Sequence, residues 1–176
     1  MKHINIAELS GFMDNFRSGI FPALVTPWCD ETLRGLVETR TPPSNYERLK
    51  LLSDALGGLA YLHQNRLAHR DVKGANILVK AESNLSNDSP NIQRMAYLTD
   101  FGFCKDIAQY LNPDISSTMQ QSTQWMPPEY DGKGYHEART TGDMWSFGCT
   151  FLEILRGNDP WHPVQDPQHR TLGIHI

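Results

Sequence analysis

His69-Arg70-Asp71-Val72-Lys73-Gly74-Ala75-Asn76 is the stretch on which the reading of this chain turns. It sets an aspartate, a lysine and an asparagine in one short loop and runs into the apolar Ile77-Leu78-Val79. Downstream come Asp100-Phe101-Gly102, then Pro127-Pro128-Glu129, then Asp143-Met144-Trp145-Ser146-Phe147-Gly148. Any one of these is weak alone; chance is a poor explanation for all of them in this order.

The 176 residues suffice for one domain with a real core. A net charge of -4 gives no electrostatic footprint for nucleic acid. No run reaches the roughly 18 apolar residues of a membrane-spanning helix. The start, Met1-Lys2-His3-Ile4-Asn5, lacks the apolar core of a secretory signal. Cys29, Cys104 and Cys149 are scattered and have no metal-ligand spacing. They read as reduced thiols of an intracellular, cytoplasmic protein.

Around the opening stretch the elements follow from local pattern. Ile4 to Phe16 is mixed, with Gly11 breaking the run. Phe21 to Trp28 is expected as a short strand that Pro27 ends. Asp30 to Thr39 reads as one short helix, and Thr41-Pro42-Pro43 as a break. Ser44-Asn45-Tyr46-Glu47 has the form of a capping box. Behind it Leu49, Leu52, Leu56, Leu59 and Ala60 recur at helical spacing, with Leu51, Ala55 and Leu62 widening the stripe. A helix from Asn45 to about Gln64 follows, weakened by Gly57-Gly58 unless a close neighbour requires them. Lys80 to Met95 is polar and reads as an exposed loop joining two strands of a hairpin. Gly142 to Arg156 reads as a buried helix, because Met144, Trp145, Phe147, Phe151, Leu152, Ile154 and Leu155 leave little polar face. Asp143 would cap its start and Gly157 would end it.

These motifs together resemble the protein kinase superfamily. Lys73 stands where Ser/Thr kinases usually carry a lysine, and Trp125-Met126-Pro127-Pro128-Glu129 and the Asp143 to Gly148 run resemble the tyrosine-kinase-like branch of Ser/Thr kinases. The resemblance implies an α+β, protein-kinase-like fold. It would be mostly the helical C-lobe with a remnant of the N-lobe sheet. Residues 3–161 would be a partial kinase domain, with 3–28 the N-lobe remnant and hinge and 29–161 a partial C-lobe. Residues 162–176 would be a polar tail.

The resemblance also assigns roles, with ATP and Mg²⁺ as cofactors and a protein as substrate. Asp71 would orient the attacking hydroxyl and Lys73 would bring a cation to the transferred phosphate. Asn76 and Asp100 would hold Mg²⁺ through hard oxygen atoms. Thr26 would lie at the back of the adenine pocket, the Pro27 carbonyl and Cys29 amide would face the adenine edge, and Leu78 would lie under the purine. Ser122 falls where the family has a hydroxyl beside the catalytic aspartate, though a plain loop hydroxyl reads as well. Arg70 would pair with a phosphorylated Ser116, Ser117 or Thr118. His69 and Phe101 would join a stack of apolar side chains between lobes, with Leu9 contributing, and Asp143 would hold the catalytic-loop backbone as structural support.

The sequence contains no G-x-G-x-x-G loop and no Val-Ala-Ile-Lys-like strand, the family's clamp on the nucleotide phosphates. The C-terminal helices that normally follow are also absent. The expectation is a chain truncated at both ends, with poor phosphate transfer unless a partner supplies the missing lobe. The alternative is a non-catalytic, pseudokinase-like binding module. A small-molecule phosphotransferase of similar fold is disfavoured by Pro127-Pro128-Glu129 and Trp145-Ser146-Phe147-Gly148, which shape a peptide-binding segment in the family.

Overall fold

A hairpin opens the chain: β1 (Gly11–Phe16) pairs antiparallel with β2 (Phe21–Val25). Gly11 therefore starts a strand rather than breaking one, because Val25 supplies its partner across the sheet. The computed structural model describes residues 2–16, 21–84, 91–106, 122–129 and 140–161, and for 14–16, 21–22, 82–84, 91–92, 103 and 105–106 the backbone alone. The expected phosphate acceptors Ser116, Ser117 and Thr118 and the tail 162–176 lie outside the described residues.

Where one short helix was expected, β3 (Glu31–Thr32) leads into α1 (Leu33–Val37). Thr32 is the reason for the split. Its backbone pairs with Leu78, and its hydroxyl accepts from the Gly35 amide at 3.1 Å, capping the helix. The long helix α2 runs Asn45–Gln64 as its periodicity predicts. The Ser44 hydroxyl accepts from the Glu47 amide at 3.3 Å. The Glu47 carboxylate does not reach back to complete the box; it pairs with Arg94 instead.

The buried face of α2 is Leu51, Leu52, Ala55, Gly58, Leu59 and Leu62. Leu49, Leu56 and Ala60, expected in the stripe, face outward, because the helix lies on the Ile6 and Leu98 side of the core. The glycine pair has its neighbour. A Cβ on Gly58 would lie 2.5 Å from the Asn5 carbonyl oxygen, so nothing larger than hydrogen fits.

After α2 come the short β4 (Leu67–Ala68) and a 3₁₀ turn at Gly74–Asn76. Then β5 (Ile77–Asn84) and β6 (Asn91–Leu98) form the expected hairpin. The strands extend well into the polar stretch that was expected as loop. Backbone pairing from Ile77↔Leu98 out to Asn84↔Asn91 overrides the polar composition. β3, β5 and β6 make one sheet, and β4 pairs with β7 (Lys105–Asp106). Asn5 and Ile6 are stitched to this sheet, since Leu98 N–H donates to the Asn5 carbonyl at 2.9 Å.

Helix α3 (Thr140–Arg156) ends as predicted at Gly157, which has a φ of +72°. Its burial corrects the expectation. Met144, Phe151 and Leu152 are exposed, while Asp143, Ser146, Thr150 and Glu153 are buried. Asp143 lies inside the first turn rather than capping it. The polar residues face inward because each one bonds a loop that packs on the helix. The result is an α+β molecule whose core joins α1, α2, α3 and the β5–β6 sheet.

Candidate active site

The loop between β4 and β5 carries Asp71, Lys73 and Asn76, and α3 fixes its backbone. Asp143 Oδ2 accepts from the His69 amide at 2.8 Å and Oδ1 from the Arg70 amide at 2.7 Å. His63 Nε2 also lies 2.8 Å from Oδ2. The Thr150 hydroxyl donates to the Val72 carbonyl at 3.3 Å, and Glu153 accepts from the Gly74 amide at 3.0 Å. Positions 143, 150 and 153 share a helix face, so one helix holds successive parts of the loop. Arg70 is held at φ +71°, a backbone region costly for a non-glycine residue. The two bonds to Asp143 flank it and make that conformation tenable.

Held this way, the side chains converge. Asp71 is buried, and its Oδ2 accepts from Lys73 Nζ at 2.7 Å and Asn76 Nδ2 at 2.8 Å. Lys73 Nζ also donates to the Ser122 hydroxyl at 2.7 Å. Ser122 and Asp71 thus share Lys73 as a donor, so Ser122 lies beside Asp71. The Asn76 amide nitrogen is spent on Asp71, which leaves its carbonyl oxygen as the atom able to meet a cation.

Asp100 is exposed, with its backbone in the left-handed region at φ +63°. Thr99 N–H donates to the Asn76 backbone carbonyl at 3.0 Å, which brings Asp100 beside the end of the loop. Burial lowers the pKa of His69, and the Thr99 carbonyl and the charges of Asp143, Asp71 and Asp100 oppose that. His69 Nε2 lies 2.9 Å from the Thr99 carbonyl and Nδ1 accepts from the Asp71 amide at 3.3 Å. One nitrogen donates and the other accepts, which is the neutral ring.

His69 and Phe101 pack edge to face at 5.5 Å between centroids, as the resemblance implies. Leu9 does not join them; it is 58 % exposed. Thr26, Pro27, Cys29 and Leu78 all line one open cavity of about 420 Å³, together with residues including Ile6, Met95 and Tyr97. Asp71, Lys73, Asn76 and Asp100 do not line it. The two groups of residues are joined by the backbone of β5, which starts directly after Asn76 and carries Leu78.

Comparison with known proteins bears on the family. The family model "protein kinase domain" matches residues 1–175. This chain belongs to the protein kinase domain family. The kinase domain is 34 % identical over 138 residues to the mitogen-activated protein kinase kinase kinase nsy-1 of Caenorhabditis elegans, covering 78 % of this chain and 8 % of that protein. It is 31 % identical to mitogen-activated protein kinase kinase kinase 5 of Homo sapiens, covering 96 % of this chain and 11 % of that protein. A crystal structure of the yeast RNA Pol II CTD kinase CTDK-1 complex contains a similar fold. Its TM-score is 0.67 at 26 % identity, covering 90 % of this chain and 47 % of that one. The kinase domain thus spans about half of that solved chain and a small part of these curated relatives.

Three site residues were not legible as such from sequence. Glu153, Arg34 and Trp125 meet behind the loop, with Trp125 Nε1–H donating to Glu153 Oε2 at 3.1 Å. The available signal was a lone carboxylate in Phe151-Leu152-Glu153-Ile154-Leu155. A charge in such a run must be paired if the run is buried.

Proposed function

We propose that this kinase domain transfers the γ-phosphate of ATP to Ser or Thr hydroxyls of a protein substrate. The observation that carries the reading is Asp71 Oδ2 gripping both Lys73 and Asn76 while Lys73 also holds Ser122. Asp71 Oδ1 is left to orient the incoming hydroxyl. The Lys73 ammonium, already beside Asp71, meets the charge that develops on the phosphoryl oxygens. The Asn76 carbonyl oxygen and the Asp100 carboxylate are a small, hard-oxygen donor set. That suits Mg²⁺, which takes its remaining ligands from phosphate and water. ATP with Mg²⁺ supplies the activated phosphoryl group and neutralises its charge. Thr26, Pro27, Cys29 and Leu78, on one cavity wall, would hold the base.

Arg70 supports a regulatory reading. Its Nε and Nη1 are buried without a hydrogen-bond partner among the described residues. A guanidinium in that state suits a phosphate on the segment containing Ser116, Ser117 and Thr118. The names of the relatives make a MAP kinase kinase the first protein substrate to try.

A second reading is a non-catalytic binding module. It is favoured by Leu9 standing exposed off the His69–Phe101 stack. Mg²⁺-dependent nucleotide binding and phosphate transfer, with Asp71→Asn as control, separate the two. The enzyme reading expects Asp71→Asn to lower transfer by roughly 10²-fold or more while nucleotide still binds. Equal transfer by both proteins would reject it.

A further inference from the structure

The linker 38–44 between α1 and α2 carries the hydroxyls of Thr39, Thr41 and Ser44. Two of them are spent. Thr39 Oγ1 donates to the Leu36 carbonyl at 2.9 Å, and Ser44 Oγ accepts from the Glu47 amide at 3.3 Å. Thr41 is exposed and makes no hydrogen bond among the described residues. Pro42 follows it, also exposed, and then Pro43, which is buried.

This order has a chemical meaning. A residue before proline is kept out of the helical region, so Thr41 holds an extended backbone. Pro42 has no N–H to tie down and presents its ring to solvent beside the hydroxyl. From Arg40 to Pro43 no backbone group bonds another backbone group among the described residues; the Pro43 carbonyl accepts from Arg48 Nε at 3.0 Å. A segment with so few backbone bonds opens at small cost into another enzyme's cleft. Thr26-Pro27 and Ser89-Pro90 have the same form. Thr26, however, follows β2 directly, where the Val25 carbonyl accepts from the Ser10 amide at 2.8 Å, and it lines the cavity beside Cys29. Ser89 lies outside the described residues.

The surroundings of Thr41 suit an added anion. Arg40 is exposed and Arg48 half-buried, and neither has a carboxylate partner among the described residues. The nearby acids Glu38 and Glu47 already pair with Arg34 and Arg94. α2 starts at Asn45, so the positive end of its dipole lies at this linker.

We propose that Thr41 is a phosphorylation site for a proline-directed protein kinase, and that the phosphate fastens the linker to the start of α2 through Arg40 and Arg48. In the reaction the γ-phosphoryl group of ATP is joined to Thr41 Oγ1. Its bond to the ADP oxygen breaks, and the hydroxyl proton leaves through the modifying enzyme's base. The linker gains three strong acceptor oxygens and up to about two negative charges. Arg48 Nη2 makes no bond among the described residues, so it can meet them while Nε and Nη1 stay on the Pro43, Ile154 and Leu155 carbonyls. The site holds whether or not this chain itself transfers phosphate.

The test incubates the full chain with ATP, Mg²⁺ and a proline-directed protein kinase, beside a reaction lacking that enzyme. Peptide mass mapping should find phosphate on Thr41 only where the enzyme was added, and Thr41→Val should lose it. Pro42→Ala should slow its incorporation roughly tenfold or more, the weight of a lost apolar contact in an enzyme's pocket. The thermal midpoint of the phosphorylated chain should lie about 2–4 °C above that of the unmodified one, and Arg40→Gln should reduce the rise. No phosphate on Thr41 overturns the proposal, as does phosphate on Thr39 or Ser44 in its place. Equal incorporation in Pro42→Ala, or phosphate on Thr41 without the added enzyme, overturns the proline-directed assignment. An unchanged midpoint after phosphorylation overturns the fastening to α2.

Discussion

Asp143 Oδ1 accepts the backbone N–H of Arg70 at 2.7 Å, across 73 positions of sequence. With the bond to His69, this anchors the loop two residues ahead of Asp71. Asp143→Ala would leave two amide N–H groups unpaired at a buried position. The expected loss is about 2–4 kcal/mol of stability, seen as a lower urea midpoint with unchanged slope. A loss under about 0.5 kcal/mol, within the range of surface substitutions, would mean the anchor is not needed.

The neutral state of His69 predicts a pH dependence. Its folded pKa is lowered from the ordinary value of about 6.5. The stability it contributes is therefore fully present above about pH 6.5 and is lost as pH falls through the lowered folded value. Glu153 acts with the opposite sign. Burial raises its carboxyl pKa, so its share is full below the ordinary range near 4.3 and is lost as pH rises through the raised value. Thermal midpoints of wild type and His69→Phe isolate the first effect. The gap between them should narrow as pH is taken from about 7.5 toward 5. A gap that stays constant would show that His69 keeps its ordinary titration.

Gly58→Ala tests the seat of the N-terminal segment. The added methyl would meet a backbone oxygen at 2.5 Å, which cannot swing away as a side chain could. Overpacking should cost about 1–3 kcal/mol, despite alanine's better helix propensity. Gly148→Ala on α3 is the matched control, since its Cβ meets nothing within 4 Å. If Gly58→Ala proves as stable as that control, the close approach is wrong.

The thiols should differ in reactivity. Burial raises Cys149 to about 11, whereas Cys29 and Cys104 are less buried and less displaced. A mild alkylating reagent near pH 8 should label Cys29 and Cys104 well before Cys149 by peptide mass mapping. Early labelling of Cys149 would show that α3 opens under native conditions.

Much of this was legible from residues whose meaning is local. α2 begins and ends where its capping serine and periodicity place it, and Gly157 stops α3 where a left-handed residue is needed. The side chains at 71, 73 and 76 meet because their spacing lies within one short loop. What was misread depends on distant partners. Gly11 reads as a break until Val25 lies opposite it, and the polar ends of β5 and β6 read as loop until they pair. α3 looked uniformly apolar because its sequence does not reveal that Thr150 and Glu153 each meet a loop backbone; for Asp143 alone the resemblance implied such a contact. Leu49 and Leu56 share the helical period of α2, and only the packed sheet decides which side of that period is dry.

The stitching of Asn5 to the far sheet has a consequence for synthesis. Asn5 Nδ2 donates to the Ala96 carbonyl at 3.1 Å, across 91 positions, and its carbonyl oxygen sits on Gly58. The opening residues therefore have no resting place until β6 has left the ribosome. During that interval Ile6 and the Gly58 groove stay uncovered on a growing chain, open to chaperones and to premature self-association.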